Sequence, residues 1–215
     1  MKEEIPKIHY KNKRTDIEVM SFKQLYYKLE QAKDHDPFAV HKIQFFLILI
    51  VTQDTYAHFV DFKSYQLRAG SVLFVAKNQV HHFSKTLQQA AGIGIIFSSL
   101  FVDKHFFLSD TFQLNRLFNY HIETPLIHLK EMGDHGFMTI ANQLLEEYAL
   151  ANPFAKVEIL GALLQVLLLK AERVKEDQSV RGVKKHWLDT FCRFRDLLEE
   201  EYVNTRSSRV YAAKL

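Results

Sequence analysis

The chain has 215 residues, 47% of them hydrophobic, which supplies a real core and excludes global disorder. Its formal net charge is only +3, and residues 181–215, with eight Lys/Arg against five Asp/Glu, carry the whole surplus; this permits contact with phosphate without demonstrating it. Cys192 is the only cysteine, which excludes an intrachain disulfide and fits a reducing cytoplasm.

The N-terminal sequence MKEEIPKIHYKNKR lacks the apolar run of a signal peptide. Residues 1–16 are polar and basic and read as a flexible arm. Ile17–Met20 has the pattern of a first strand; Phe22–Leu29 fits either one or two helical turns or a second strand. Asp34-His35-Asp36-Pro37 marks a turn. Phe45–Val51 is a continuous run of β-branched, aromatic and aliphatic residues, the mark of a strand covered on both faces. At seven residues it is too short to span a bilayer, so no membrane segment is expected. Further strands are expected at Thr55–Phe62, Val72–Ala76, Val80–Ser84 and Ala91–Ser98. Gly and Pro are scarce, so the turns between them must use Asn, Asp, Ser, Lys and Gln. Strands at about ten-residue intervals suggest a sandwich or barrel.

After Pro125 the period changes. Phe137, Ile140, Ala141, Leu144 and Tyr148 recur at helical spacing, and Asn152-Pro153 restarts the chain as N-cap and first helical position. Leu160, Leu163, Leu164, Leu167 and Ala171 form one apolar stripe, taken as the dimerisation surface; Ile159, Val166 and Leu169 widen it past one face. A helix apolar on two sides needs two partners, most simply its own domain and the same helix of a second subunit. Residues 177–186 look like a linker. Trp187, Phe191, Phe194, Leu198 and Tyr202 then form another helical stripe, and a further helix begins after the break at 204–208.

The chemistry-bearing residues argue for binding rather than catalysis. His81 and His82 are adjacent, so a strand sends them to opposite faces. His58 has only Asp61 as a nearby acid, and no His-x-His followed by Glu occurs on these strands, so no metal or cofactor is expected. Cys192 sits between Phe191 and Arg193 as a packing residue, and Glu146-Glu147 and Glu199-Glu200-Glu201 read as solvated helix faces. No phosphate loop, dinucleotide fingerprint or nucleophile elbow is present. A barrel interior does offer a concave apolar site. The last two helices fit the opening of a helix-turn-helix.

From residue 17 to residue 215 the chain resembles the AraC/XylS-type transcriptional regulators. The resemblance rests on His41-Lys42-Ile43-Gln44-Phe45-Phe46, Val60-Asp61-Phe62, Leu67 to Val75, Gln79-Val80-His81-His82-Phe83, Ile95-Ile96-Phe97 with Leu100-Phe101, and Leu197-Leu198-Glu199 with Tyr202 and Val210-Tyr211-Ala212 with Leu215. The turn Ala76-Lys77-Asn78 lacks the family's proline. The resemblance implies an α+β protein: a cupin-like, jelly-roll β-barrel that senses a small molecule, an antiparallel helix pair that dimerises, and two helix-turn-helix units. The corresponding divisions are an arm at 1–16, the barrel at 17–132, the helical region at 133–176, the linker at 177–186 and the start of the DNA-binding domain at 187–215. The chain ends within the second helix of the first unit, so a fragment is expected, with DNA bound by the full-length protein only. The expected protein is a cytoplasmic homodimer and not an enzyme. Gly92 and Gly94 leave space on one strand face, which suggests an apolar or aromatic effector. The candidate pocket residues are His41, Phe46, His58, His81, Phe83, Gly92 and Gly94. The rival readings are a metal-dependent cupin enzyme, such as an isomerase or dioxygenase, and an interaction module with a filled barrel.

Overall fold

The computed structural model describes residues 5–10, 15–61, 63–105, 117–118, 124–129, 136–151, 153–178 and 185–215. The strands are β1 (Lys7–Ile8), β2 (Ile17–Ser21), β3 (His41–Ile43), β4 (Phe46–Gln53), β5 (Thr55–Val60), β6 (Lys63–Arg68), β7 (Ser71–Val75), β8 (Val80–Phe83), β9 (Ala91–Phe97) and β10 (Leu126–His128). The helices are α1 (Phe22–Glu30), α2 (Ser99–His105), α3 (Phe137–Ala149), α4 (Lys156–Gln178), α5 (Lys185–Glu201) and α6 (Ser208–Lys214). The class is α+β. Among the described residues the strands form two open five-stranded sheets, ordered β1-β3-β8-β5-β6 and β10-β7-β4-β9-β2, rather than a closed barrel. All pairings are antiparallel except β1 with β3.

The second sheet is buried on both faces, which explains the unbroken apolar run in β4. Leu47, Leu49 and Val51 face the first sheet and share a core with Ile43, Tyr56, Val60, Leu67 and Phe83. Phe46, Ile48 and Ile50 face the other way, toward Phe101, Phe137, Leu144, Leu160 and Leu164 of the helical layer. The layers are therefore sheet, sheet and helices.

Turn chemistry compensates for the shortage of glycine. Asp16, Asp54, Asp61 and Asn78 hold positive φ, a region that Asp and Asn tolerate through local hydrogen bonds. Asp54 turns the chain from β4 into β5, which lies in the other sheet, so the connection crosses between sheets and is not a hairpin. Asp61 has a structural duty: its carboxylate accepts from Gln79 Nε2 at 2.7 Å and from the Val80 N–H at 3.1 Å.

Several boundaries differ from the sequence reading. Phe22–Glu30 is a helix because Ser21 and Gln24 close a capping box and Phe22 and Leu25 bury a single face. Lys7–Ile8 of the arm is paired with β3, with Lys42 N–H donating to the Pro6 carbonyl and Gln44 N–H to the Ile8 carbonyl, each at 2.8 Å. Strand β6 was missed because Lys63, Ser64 and Gln66 are exposed and only Leu67 is fully buried. Helix α4 begins at Lys156, so Pro153 precedes it by three residues and Ala155 turns with φ 58°. Phe62, Asn152 and most of the expected linker lie outside the described residues.

The dimerisation stripe also needs correction. Leu160, Leu164, Leu167 and Ala171 are at most 1% exposed because they seal the chain's own helical layer, and Leu163 packs at its margin. The apolar side of α4 left uncovered carries Ile159, Val166 and Leu169, each about 40% exposed. Further on, α5 and α6 touch through Phe194 and Tyr211, whose rings meet edge-on at 5.7 Å. Tyr211 Oη donates to the Thr205 carbonyl, and Lys214 pairs with Glu201.

Gly92 is the tightest point beneath α1. A Cβ there would lie 2.2 Å from the Ile50 carbonyl oxygen and 2.7 Å from the Phe22 ring. Gly92→Ala is expected to destabilise the fold by about 1–3 kcal/mol, seen as a lower urea midpoint at unchanged m-value.

Candidate functional site

A cavity of about 550 Å³ opens between the two sheets, beside α1. Its walls come from four places: Ile8, His9 and Tyr10 of the arm; Leu25, Lys28 and Leu29 of α1; the connection around His35; and the sheets, through inward strand residues His41, Leu47, His81, Phe83 and Ile96 with Phe45 just before β4. The lining is mainly apolar, and the size suits a small organic molecule.

Strand register builds the polar end. His41 on β3 pairs directly with His81 on β8, and β5 sets His58 against Phe83 and Val60 against His81. The inward parity of β5 carries Tyr56, His58 and Val60; that of β8 carries His81 and Phe83. His82 takes the other face, as adjacency on a strand requires, and stacks on Phe59 at 4.3 Å. Tyr56 Oη lies 2.6 Å from His58 Nδ1, and His58 Nε2 lies 3.1 Å from His81 Nδ1. The His41 and His81 rings meet at 4.4 Å, and His35 adds a further edge contact to His41 at 5.4 Å.

Burial keeps this cluster uncharged. It lowers His58 to about 3 and His81 well below the usual histidine value, with the neighbouring histidines adding to the effect. His41 is lowered as well, chiefly by burial, although its bond to the Ala39 carbonyl opposes this. Among the described residues no three His, Cys, Asp or Glu side chains are grouped so as to hold a metal ion. The facing nitrogens of His58 and His81 are spent on each other, and Asp61, the acid nearest in sequence, is spent on Gln79 and Val80.

The residues singled out from sequence divide as follows. His41, His81 and Phe83 line the cavity. His58 stands behind His81, fully buried. Phe46 is on the opposite face of its sheet, stacked on Phe97 at 5.2 Å, because the alternation of β4 sends Leu47, not Phe46, toward the cavity. Gly92 and Gly94 do make room on the inner face, but Phe22 and Leu25 of α1 fill it. The α1 and arm contributions were missed. The capping box and the apolar spacing of Phe22, Leu25 and Leu29 were the available signals for α1.

Comparison with known proteins adds little to this geometry. No family model matches the chain, and no curated protein sequence does. Among solved structures it is similar to ToxT from Vibrio cholerae in its P21 crystal form, at 11% identity over 92% of this chain and 69% of that one, with a TM-score of 0.40. It is also similar to ToxT bound to (E)-4-(8-methylnaphthalen-1-yl)but-3-enoic acid, at 13% identity over 92% of this chain and 70% of that one, with a TM-score of 0.39. Likenesses this weak carry no functional argument.

The buried histidines make stability depend on pH with a definite sign. Unfolded histidines bind a proton near pH 6.5, whereas native His58 does not until about pH 3. The contribution is therefore complete above pH 6.5 and is lost as pH falls toward 3, at up to about 1.4 kcal/mol per pH unit for each histidine held neutral. Urea unfolding between pH 7.5 and 4.5 should show this decline, and His58→Phe should make it shallower, with His81 and His41 still contributing. An unchanged midpoint down to pH 4.5 would contradict the assignment.

Proposed function

We propose that this chain is the effector-sensing and dimerisation region of a DNA-binding transcriptional regulator of the AraC/XylS type, with its two sheets corresponding to the jelly roll of that family. The observation that carries the reading is the cavity. It is mostly apolar, one of its walls is the N-terminal arm, and a buried histidine cluster closes its polar end. A wall made of a two-residue strand is the part that ligand can stabilise or release at least cost, because it ends a sheet through few backbone bonds. Ligand in the cavity would then bias the placement of segments outside it. The edge contact of α5 with α6 through Phe194 and Tyr211 suits the opening of a helix-turn-helix, and DNA binding is assigned to the whole regulator. The proposed effector is a small apolar or aromatic molecule, and the proposed setting is the cytoplasm. Among the described residues no helix is long and apolar enough to cross a membrane.

The proposed homodimer uses the outer side of α4. Ile159, Val166 and Leu169 are spaced by seven and three, so they share one stripe along the N-terminal half of the helix. An isologous contact between two such stripes buries them without a further partner. Val166→Asp should convert the dimer to a monomer in sedimentation velocity while changing unfolding free energy by no more than about 0.5 kcal/mol. A dimer that survives the substitution would rule out this surface. Removing residues 1–10 should weaken binding of butyrophenone, an apolar aromatic probe, while leaving the cooperative unfolding transition in place. Unaltered affinity would remove the arm from the mechanism.

A further inference from the structure

We infer that the cavity selects a ligand bearing a neutral acceptor oxygen, such as a ketone or hydroxyl on an apolar body, and that His81 Nε2–H donates a hydrogen bond to it. The inference rests on the cavity being an effector site, and it names what the effector must present.

The argument begins one layer behind the cavity. Burial raises the Tyr56 pKa well above the ordinary tyrosine value, so the phenol keeps its proton and must donate it. Its near neighbour is His58 Nδ1, at 2.6 Å, so Nδ1 is the acceptor. A neutral imidazole with a bare Nδ1 carries its proton on Nε2. That proton points at His81 Nδ1, 3.1 Å away, so His81 also accepts at Nδ1 and carries its proton on Nε2. The opposite direction fails, because it would leave the Tyr56 proton without an acceptor in a fully buried site.

The chain ends in a donor with nothing to receive it. His81 Nε2 is buried and has no hydrogen-bond partner, while the His81 ring lines the cavity. His81 is only 1% exposed, so an unmet N–H there is costly unless a bound molecule supplies an acceptor.

Two features favour a neutral oxygen over a carboxylate. The charged residues of the lining balance, with Lys28 and Lys33 against Glu18 and Asp34, and Lys28 is already paired with Glu18. Beside His81, His41 donates from Nδ1 to the Ala39 carbonyl at 2.9 Å, which leaves the lone pair of the neutral ring on Nε2. A carboxylate would bring a full negative charge toward that lone pair, where a neutral oxygen brings only a partial one. A ketone needs only the His81 donor, and a hydroxyl could satisfy both nitrogens.

Butyrophenone and butylbenzene differ only by a ketone oxygen in place of two hydrogens, which makes them the probe pair. Calorimetric affinities of both would be measured for the wild-type chain and for His81→Phe. The ratio of the two affinities should move about tenfold against the ketone in the variant. Long-range ¹H–¹⁵N spectra of the wild-type imidazoles, which need no variant to fold, should show His81 as the Nε2–H tautomer. Its Nε2–H resonance should shift with butyrophenone and stay in place with butylbenzene. An Nδ1–H tautomer, an unchanged affinity ratio, or bound butyrophenone that leaves His81 unmoved would overturn the inference. Failure of both probes to bind would overturn the effector-site reading itself, and the ligand assignment with it.

Discussion

The pleat of the sheet β10-β7-β4-β9-β2 is the constraint on which everything else depends. Each residue of β4 must serve either the helical layer or the space between the sheets, and a slip of one residue would exchange the two sets. Ile48 and Ile50 are committed to the helices; Leu47 and Leu49 are committed to the inner core that continues into the cavity. The same alternation in β9 puts Ile95 on one side and Gly94 and Ile96 on the other. One sheet therefore positions both the cavity and the helical layer.

Opposite it, the first sheet is thinner in apolar material and carries the polar chemistry. Its inward positions hold Tyr56, His58, His81 and His41 where a simple sandwich would place aliphatic residues. Burying these groups is tolerable because Tyr56, His58 and His81 bond one another in series, His41 bonds the Ala39 carbonyl, and the histidines stay neutral. The series leaves one polar atom unmatched, His81 Nε2, and that atom belongs to a residue lining the cavity. Structure and recognition are thus two ends of a single hydrogen-bond chain.

Much of this was legible in the sequence, and the misses have physical causes. Strands β4, β5, β7, β8 and β9 were visible because apolar runs and turn residues bound them. His81 and Phe83 could be placed on one face from alternation alone, and both line the cavity. Phe46 could not, because a strand buried on both sides has no polar face to mark parity. Glycines at 92 and 94 read as space for a ligand, yet the occupant is α1, whose helical state depends on the Ser21–Gln24 cap and on burial of Phe22 and Leu25. The stripe of α4 was seen, but periodicity does not say which side meets its own domain. Burial assigns Leu160, Leu164 and Leu167 to the chain itself and leaves Ile159, Val166 and Leu169 uncovered.

The most direct test of the account is a methyl-resolved NMR titration with butyrophenone. The account predicts saturable shifts at Leu25, Leu29, Leu47 and Ile96, which line the cavity, and none at Ile48 or Leu164, across the same sheet. Shifts centred on the helical layer, or no saturable shift at the cavity methyls, would contradict it.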